Sequence, residues 1–137
     1  FKMNNTISVN KNKLETSLFL MRLTIFIVML VWTLDKFTNP DHAVRIMDGF
    51  YNISLSSNTV IMIIGILEML IIIAFMAGLW KKYTYGFVLI LHGLSTFSSW
   101  KQYINMDLLF YAAWPMLAAC AALYMLRDHD VKYTLGK

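Results

Sequence analysis

Three ionisable side chains stand inside long apolar runs of this 137-residue chain: Arg22, Glu68 and His92. A charge at mid-depth in hydrocarbon costs at least ~2.5 kcal/mol on insertion scales, so each of the three must face protein or water. At ~1.5 Å rise per helical residue, counted from a turn at Lys82, Glu68 lies about 21 Å and His92 about 15 Å from the face that carries the turn; Arg22, counted from Ser17, lies at about 8 Å. Asp35, Lys36 and Asp107 at the far side extend these groups into a ladder, which is what a proton path or a path for an anionic substrate needs. Side chains lean toward the N-terminus of their own helix. Glu68 therefore leans outward and His92 and Arg22 inward, so direct pairing among them would need a bridging water. His92, Ser95, Thr96 and Ser99 share one helix face at i, i+3, i+4 and i+7. Lipid cannot satisfy such a stripe, so it faces other helices or a partner. Two readings are open for it: hydrogen bonding that holds helices together, or the lining of a ligand or proton-relay site.

Other chemistries find little support. His42 and His129 fall in polar segments on opposite sides of the apolar runs and cannot join His92 in one metal site, so no metal is expected. The single cysteine, Cys120, excludes an intramolecular disulfide and a C-x-x-C pair. No glycine-rich phosphate loop, nucleophile elbow or metal-ligand cluster is present, so no catalytic residue is assigned and the chain is not expected to be an enzyme by itself.

The elements that must position these groups are apolar helices. Residues 59–80 read TVIMIIGILEMLIIIAFMAGLW, with Glu68 the one formal charge. A helix of this length covers about 33 Å, enough to cross a bilayer. A first span is expected over 18–34, capped by Thr16 or Ser17 after a polar segment 1–17. A third is expected over 83–100 and a fourth over 106–126, the latter rich in alanine for close helix contact. A polar tail follows over 127–137. Between the first two spans, Asn39-Pro40-Asp41 has the form of a helix start, with Asn39 as cap and Pro40 at the first position. A short amphipathic helix Pro40–Tyr51 would carry Val44, Met47 and Tyr51 on one side and lie flat at the membrane surface; Ser54, Ser56 and Ser57 then lead into the second span. Gly65 lies close to the Glu68 face and would let a neighbouring helix approach.

Composition agrees with this reading. Hydrophobic residues make up 58% and charged residues 15%, against roughly a quarter charged in ordinary soluble domains. The net charge of +4 sits at the ends of the apolar runs, as topology signals do, and gives no face for nucleic acid. With both termini on one side, that side holds nine lysines and arginines (Lys2, Lys11, Lys13, Arg22, Lys81, Lys82, Arg127, Lys132, Lys137) and the other holds three (Lys36, Arg45, Lys101). The expected architecture is all-α: an integral-membrane four-helix bundle with both termini cytoplasmic and the short amphipathic helix in the first extracytoplasmic loop.

Several residues also form a known pattern. Arg22 stands near the start of the first span, and Thr33-Leu34-Asp35-Lys36 near its end, with Thr33 where the pattern has glycine. Glu68 is followed ten residues on by Gly78-Leu79, and Lys132-Tyr133-Thr134-Leu135-Gly136 follows the fourth span. In these features the chain, from about Leu18 to Leu135, resembles the DoxX-like family of small four-helix membrane proteins, including DoxD and MauE-type members, with Arg22, Lys36, Glu68 and Gly78 as the matching positions. The resemblance implies a multi-pass protein of a prokaryotic cytoplasmic (inner) membrane in a redox or envelope context, since family members are associated with thiosulfate:quinone oxidoreduction, amine-dehydrogenase maturation and oxidative-stress complexes. Three roles are open. The first is a non-catalytic accessory subunit in contact with lipid and with larger subunits of a respiratory or oxidative complex. The second is a quinone-interacting redox subunit with a pocket around Glu68, His92 and Arg22, quinone then being the one cofactor. The third is a small proton-coupled transporter.

Overall fold

The computed structural model describes residues 5–51 and 58–136. Ser54, Ser56 and Ser57 lie outside the described residues, as do Lys2, Lys137 and the side chain of Tyr51. Every regular element among the described residues is helical.

Helix α1 runs over Lys11–Thr38, starting seven residues before the expected span. The Asn10 side chain accepts a hydrogen bond from the Lys13 backbone N–H at 3.0 Å and caps the helix. Thr16 and Ser17, expected as caps, are inside the helix, where the Ser17 hydroxyl donates to the Lys13 carbonyl instead. Helix α2, Pro40–Tyr51, begins as expected, with Pro40 first and Asp41 in the first turn. It lies against α1, α3 and α4, with Ala43 as its buried contact, so its packing partner is the end of the helix assembly.

Helix α3, Asn58–Ala77, is followed by a tight turn into α4, Lys81–Ser98. Gly78 (φ 71°) and Trp80 (φ 47°) are both left-handed there. The expected continuous helix over 106–126 is interrupted. A short helix α5, Trp100–Ile104, and a left-handed Met106 (φ 57°) lead to a 3-10 turn, Leu108–Ala112, and only then to α6, Ala113–Met125. Pro115 explains the break: it has no N–H to donate and its ring crowds the carbonyl four residues back, so the preceding turn winds more tightly.

α1 packs on α3 and α6, and α4 packs on the same two helices, which closes a ring. Each helix buries one stripe. On α1 the buried positions are Leu18, Arg22, Ile25, Met29 and Thr33; on α3 they are Ile61, Gly65, Glu68, Ile72 and Phe75. On α4 they include Lys81, Tyr85, Val88, His92 and Thr96, and on α6 Cys120 and Leu123. The spacing of three and four is that of coiled-coil seams. The outward faces are large and apolar, as at Ile63, Ile66, Leu70 and Ile73 of α3. Arg22, Glu68 and His92 are thus buried among aliphatic residues while large apolar side chains also cover the outside, which a water-soluble bundle avoids. Among the described residues, three stretches are long and apolar enough to cross a membrane: Lys11–Thr38, Thr59–Ala77 and Leu108–Met125. α4 is more polar, yet its outward residues Ile90, Leu94 and Phe97 are apolar, because its polar stripe is turned inward.

Candidate functional site

The interior polar groups gather at two levels. At the end carrying the α3–α4 turn, Arg22 and Asp130 form an ion pair, Nη1 to Oδ1 at 2.6 Å, with both side chains at 0% exposure. Arg22 Nη2 donates to the Lys132 carbonyl at 2.6 Å and the Tyr133 carbonyl at 3.3 Å. The Tyr85 hydroxyl donates to the second Asp130 oxygen at 2.6 Å, and Lys81 Nζ donates to the Asp130 main-chain carbonyl. Lys132 Nζ reaches back to Thr16 Oγ1 at 3.0 Å. The segment after α6 is therefore not a free polar tail. It folds under the ring and supplies the counter-ion of the arginine in α1.

The same segment is sewn to the α3–α4 turn. The Leu135 N–H donates to the Ala77 carbonyl at 2.8 Å, and the Thr134 side chain lies against Gly78. A Cβ on Gly78 would stand 2.5 Å from Thr134 Cγ2, and the backbone there is left-handed, so glycine is required twice over.

At the other level, Lys36 Nζ donates to Glu68 Oε2 at 3.1 Å and Thr33 Oγ1 donates to the same oxygen at 3.2 Å. Gly65, one turn earlier on α3, admits the Phe37 ring: a Cβ there would lie 3.0 Å from it. This close approach of α1 places Lys36 over Glu68. Nearby, Asp35 Oδ2 and His42 Nδ1 are 2.6 Å apart and tie α1 to α2.

His92 stands apart from both carboxylates. Its Nε2 is 3.0 Å from the Ala113 carbonyl, which can only accept, so Nε2 carries the proton. In the neutral ring Nδ1 is then an acceptor, and it has no partner among the described residues although the side chain is almost fully buried. Trp32 stacks on the imidazole with centroids 5.9 Å apart. Trp32 precedes Thr33, so neighbouring residues of α1 contact His92 and Glu68.

The ladder expected across the membrane is thus divided. Arg22 pairs with Asp130, Glu68 with Lys36 and Thr33, and His92 with a main-chain carbonyl. In the serine–threonine stripe, Thr96 Oγ1 donates to the His92 carbonyl and Ser99 Oγ, at the C-cap of α4, donates to the Ser95 carbonyl, each four residues back. These two hydroxyls serve their own backbone. The Thr96 carbonyl also receives the Tyr103 hydroxyl at 2.7 Å, and burial raises the pKa of that phenol. Asp128 and His129 are exposed, and no set of three or more potential metal ligands comes together among the described residues.

Four participants escaped the sequence reading. Thr33 and Tyr85 were findable, because they continue the stripes of Arg22 on α1 and of His92 on α4. Asp130 and Lys81 were not: Asp130 belongs to a run, Arg127-Asp128-His129-Asp130, with the look of a solvated tail, and Lys81 sits beside Lys82 in a basic turn. No family model matches the chain, and no curated protein or solved structure matches it.

Proposed function

We propose that the chain is a DoxX-like multi-pass protein of a prokaryotic cytoplasmic membrane, with α1, α3, α4 and the 108–125 stretch as four spans and both termini cytoplasmic. Its role is that of a small, non-catalytic accessory subunit of a larger respiratory or oxidative membrane complex. One observation carries the reading: each position that matches the family pattern has an interior partner, at one or other of the two levels described above. Arg22 holds the carbonyls of Lys132 and Tyr133, Thr134 covers Gly78, and Lys36 pairs with Glu68. Matches scattered by chance along the chain would have no reason to meet. The inward polar stripe of α4 supports its place as a span, since its lipid-side residues are apolar. The subunit role rests on charged groups that neutralise one another within the chain, leaving the broad apolar outer faces to lipid and to neighbouring subunits.

The test is gentle solubilisation of the native membrane, followed by a native gel and identification of what co-migrates. Larger respiratory or oxidase-type subunits are the expected companions. A clean monomer with ligand turnover of its own would refute the accessory role.

A second reading, a quinone-interacting subunit, is favoured by His92. Its unpartnered Nδ1 is a buried acceptor beneath a half-exposed Trp32, a combination suited to a quinol hydroxyl and its ring. In that case His92→Phe abolishes quinone-linked electron transfer and leaves assembly of the complex intact.

A further inference from the structure

An open cleft of about 600 Å³ lies between the α3–α4 turn and the end of α6, lined in part by Trp80, Lys81, Lys82, Tyr83, Arg127 and Asp128. We infer that this cleft binds the phosphate headgroup of an anionic phospholipid, an assignment that rests on the membrane reading above.

Charge is the first argument. Three cations and one carboxylate, Asp128, line the cleft. Lys81 is buried and committed to the Asp130 carbonyl, so it contributes field more than contact. Lys82 is exposed, and Arg127 is held in place at the cleft by its Nη1 bond to the Tyr124 carbonyl (2.8 Å) and by stacking 4.4 Å over the Tyr124 ring. Arg22 and Lys36 each have a carboxylate partner, whereas among the described residues neither Lys82 nor Arg127 is in a salt bridge. A phosphodiester would supply the missing counter-charge, and a guanidinium fixed beforehand loses little freedom in binding it.

The surroundings select a lipid over a soluble anion. Trp80 and Tyr83 are 65% and 71% exposed, amphipathic rings of the kind that settle at headgroup depth. Met125 and Leu126 are exposed at the adjoining end of α6 and give acyl chains an apolar surface. By the distribution of lysine and arginine this is the cytoplasmic end, where basic pockets between spans meet anionic headgroups.

The full chain, purified in a zwitterionic detergent, is titrated with short-chain phosphatidylglycerol, with phosphatidylcholine of the same chain length, and with inorganic phosphate; bound lipid is counted by native mass spectrometry. Phosphatidylglycerol is expected to bind in preference. Lys82→Gln should weaken it about fivefold, the affinity equivalent of ~1 kcal/mol per basic residue at an anionic surface. Lys82→Gln with Arg127→Gln should erase the preference, and Lys101→Gln, at the opposite end, should leave it intact. Equal binding of the two lipids, or an unchanged preference in Lys82→Gln, would overturn the assignment. So would displacement of phosphatidylglycerol by equimolar inorganic phosphate, which would make this a site for the free anion. Thermal unfolding of each variant separates loss of the site from loss of the fold, and Lys82→Gln decides alone if Arg127→Gln unfolds. Carbonate extraction of the chain from membranes would instead defeat the membrane reading, and by a different readout.

Discussion

Replacing Asp130 by asparagine tests the most deeply buried charge pair. The change is nearly isosteric and removes one negative charge. Asparagine Oδ1 could still accept from Arg22 Nη1, but the guanidinium would be left as a buried cation without a counter-ion at 0% exposure. The other half of the amide is a donor facing the Tyr85 hydroxyl, which now donates to that position at 2.6 Å. Breaking a buried pair by removing one partner costs about 3–5 kcal/mol, and a melting temperature lower by on the order of 10 °C is expected for a chain of this size. Cys120 provides the assay. It is the single cysteine and is only 3% exposed, so the rate or temperature at which a thiol-reactive fluorophore labels it reports opening of the core. Arg22→Met should be comparably harmful alone, because it strands the carboxylate. The double variant Arg22→Met/Asp130→Asn should lose less than the sum of the two, with a coupling of about 2 kcal/mol. If Asp130→Asn melts with the unaltered protein, or the two losses simply add, Arg22 and Asp130 do not stabilise the fold as a buried pair.

Three further outcomes follow from the geometry. Tyr85→Phe removes one donor to a buried carboxylate and should lower stability by about 1.5–3 kcal/mol in the same labelling assay. Gly78→Ala should lower it by at least ~2 kcal/mol, since a left-handed alanine is strained and its Cβ would drive Thr134 off the turn; limited proteolysis should then cut between 127 and 136 more readily. Lys36→Met leaves Glu68 with Thr33 as its described partner and should melt below Lys36→Met/Glu68→Gln, in which no carboxylate is stranded. Identical melting of the two would show that the pair contributes nothing measurable.

What the sequence made legible, and what it hid, have physical causes. Long apolar runs announce their length, so α3 was bounded within a few residues. Their inward face is harder to read: α3 is apolar on every side, and hydropathy alone leaves its rotation free. Isolated polar residues supply the phase. Arg22, Glu68 and His92 all lie on buried stripes, as the cost of placing them against hydrocarbon would demand. Their partners were another matter, because pairing depends on how helices approach. Gly65 hinted at a close approach, and Phe37 fills it, carrying Lys36 to Glu68. Asp130 lacked any local sign, since its role is set by a contact with a residue 108 positions away. The extra turns of α1 before 18 rest on a single cap, Asn10, in a stretch whose polarity favours no particular start.

That same separation bears on how the protein is made. Arg22 leaves the ribosome before any of the helices that follow α1, and Asp130 is polymerised 108 residues later. If the chain inserts into a membrane as proposed, the guanidinium must be satisfied by water, by lipid phosphate or by the translocation machinery while the intervening helices enter. The native counter-ion closes on it only after α6 is in place. Contacts so distant in sequence form late and slowly, so a nascent chain halted before residue 130 should be the species most exposed to quality-control proteases. A bulky group joined directly behind residue 136 would crowd the 127–136 segment as it docks.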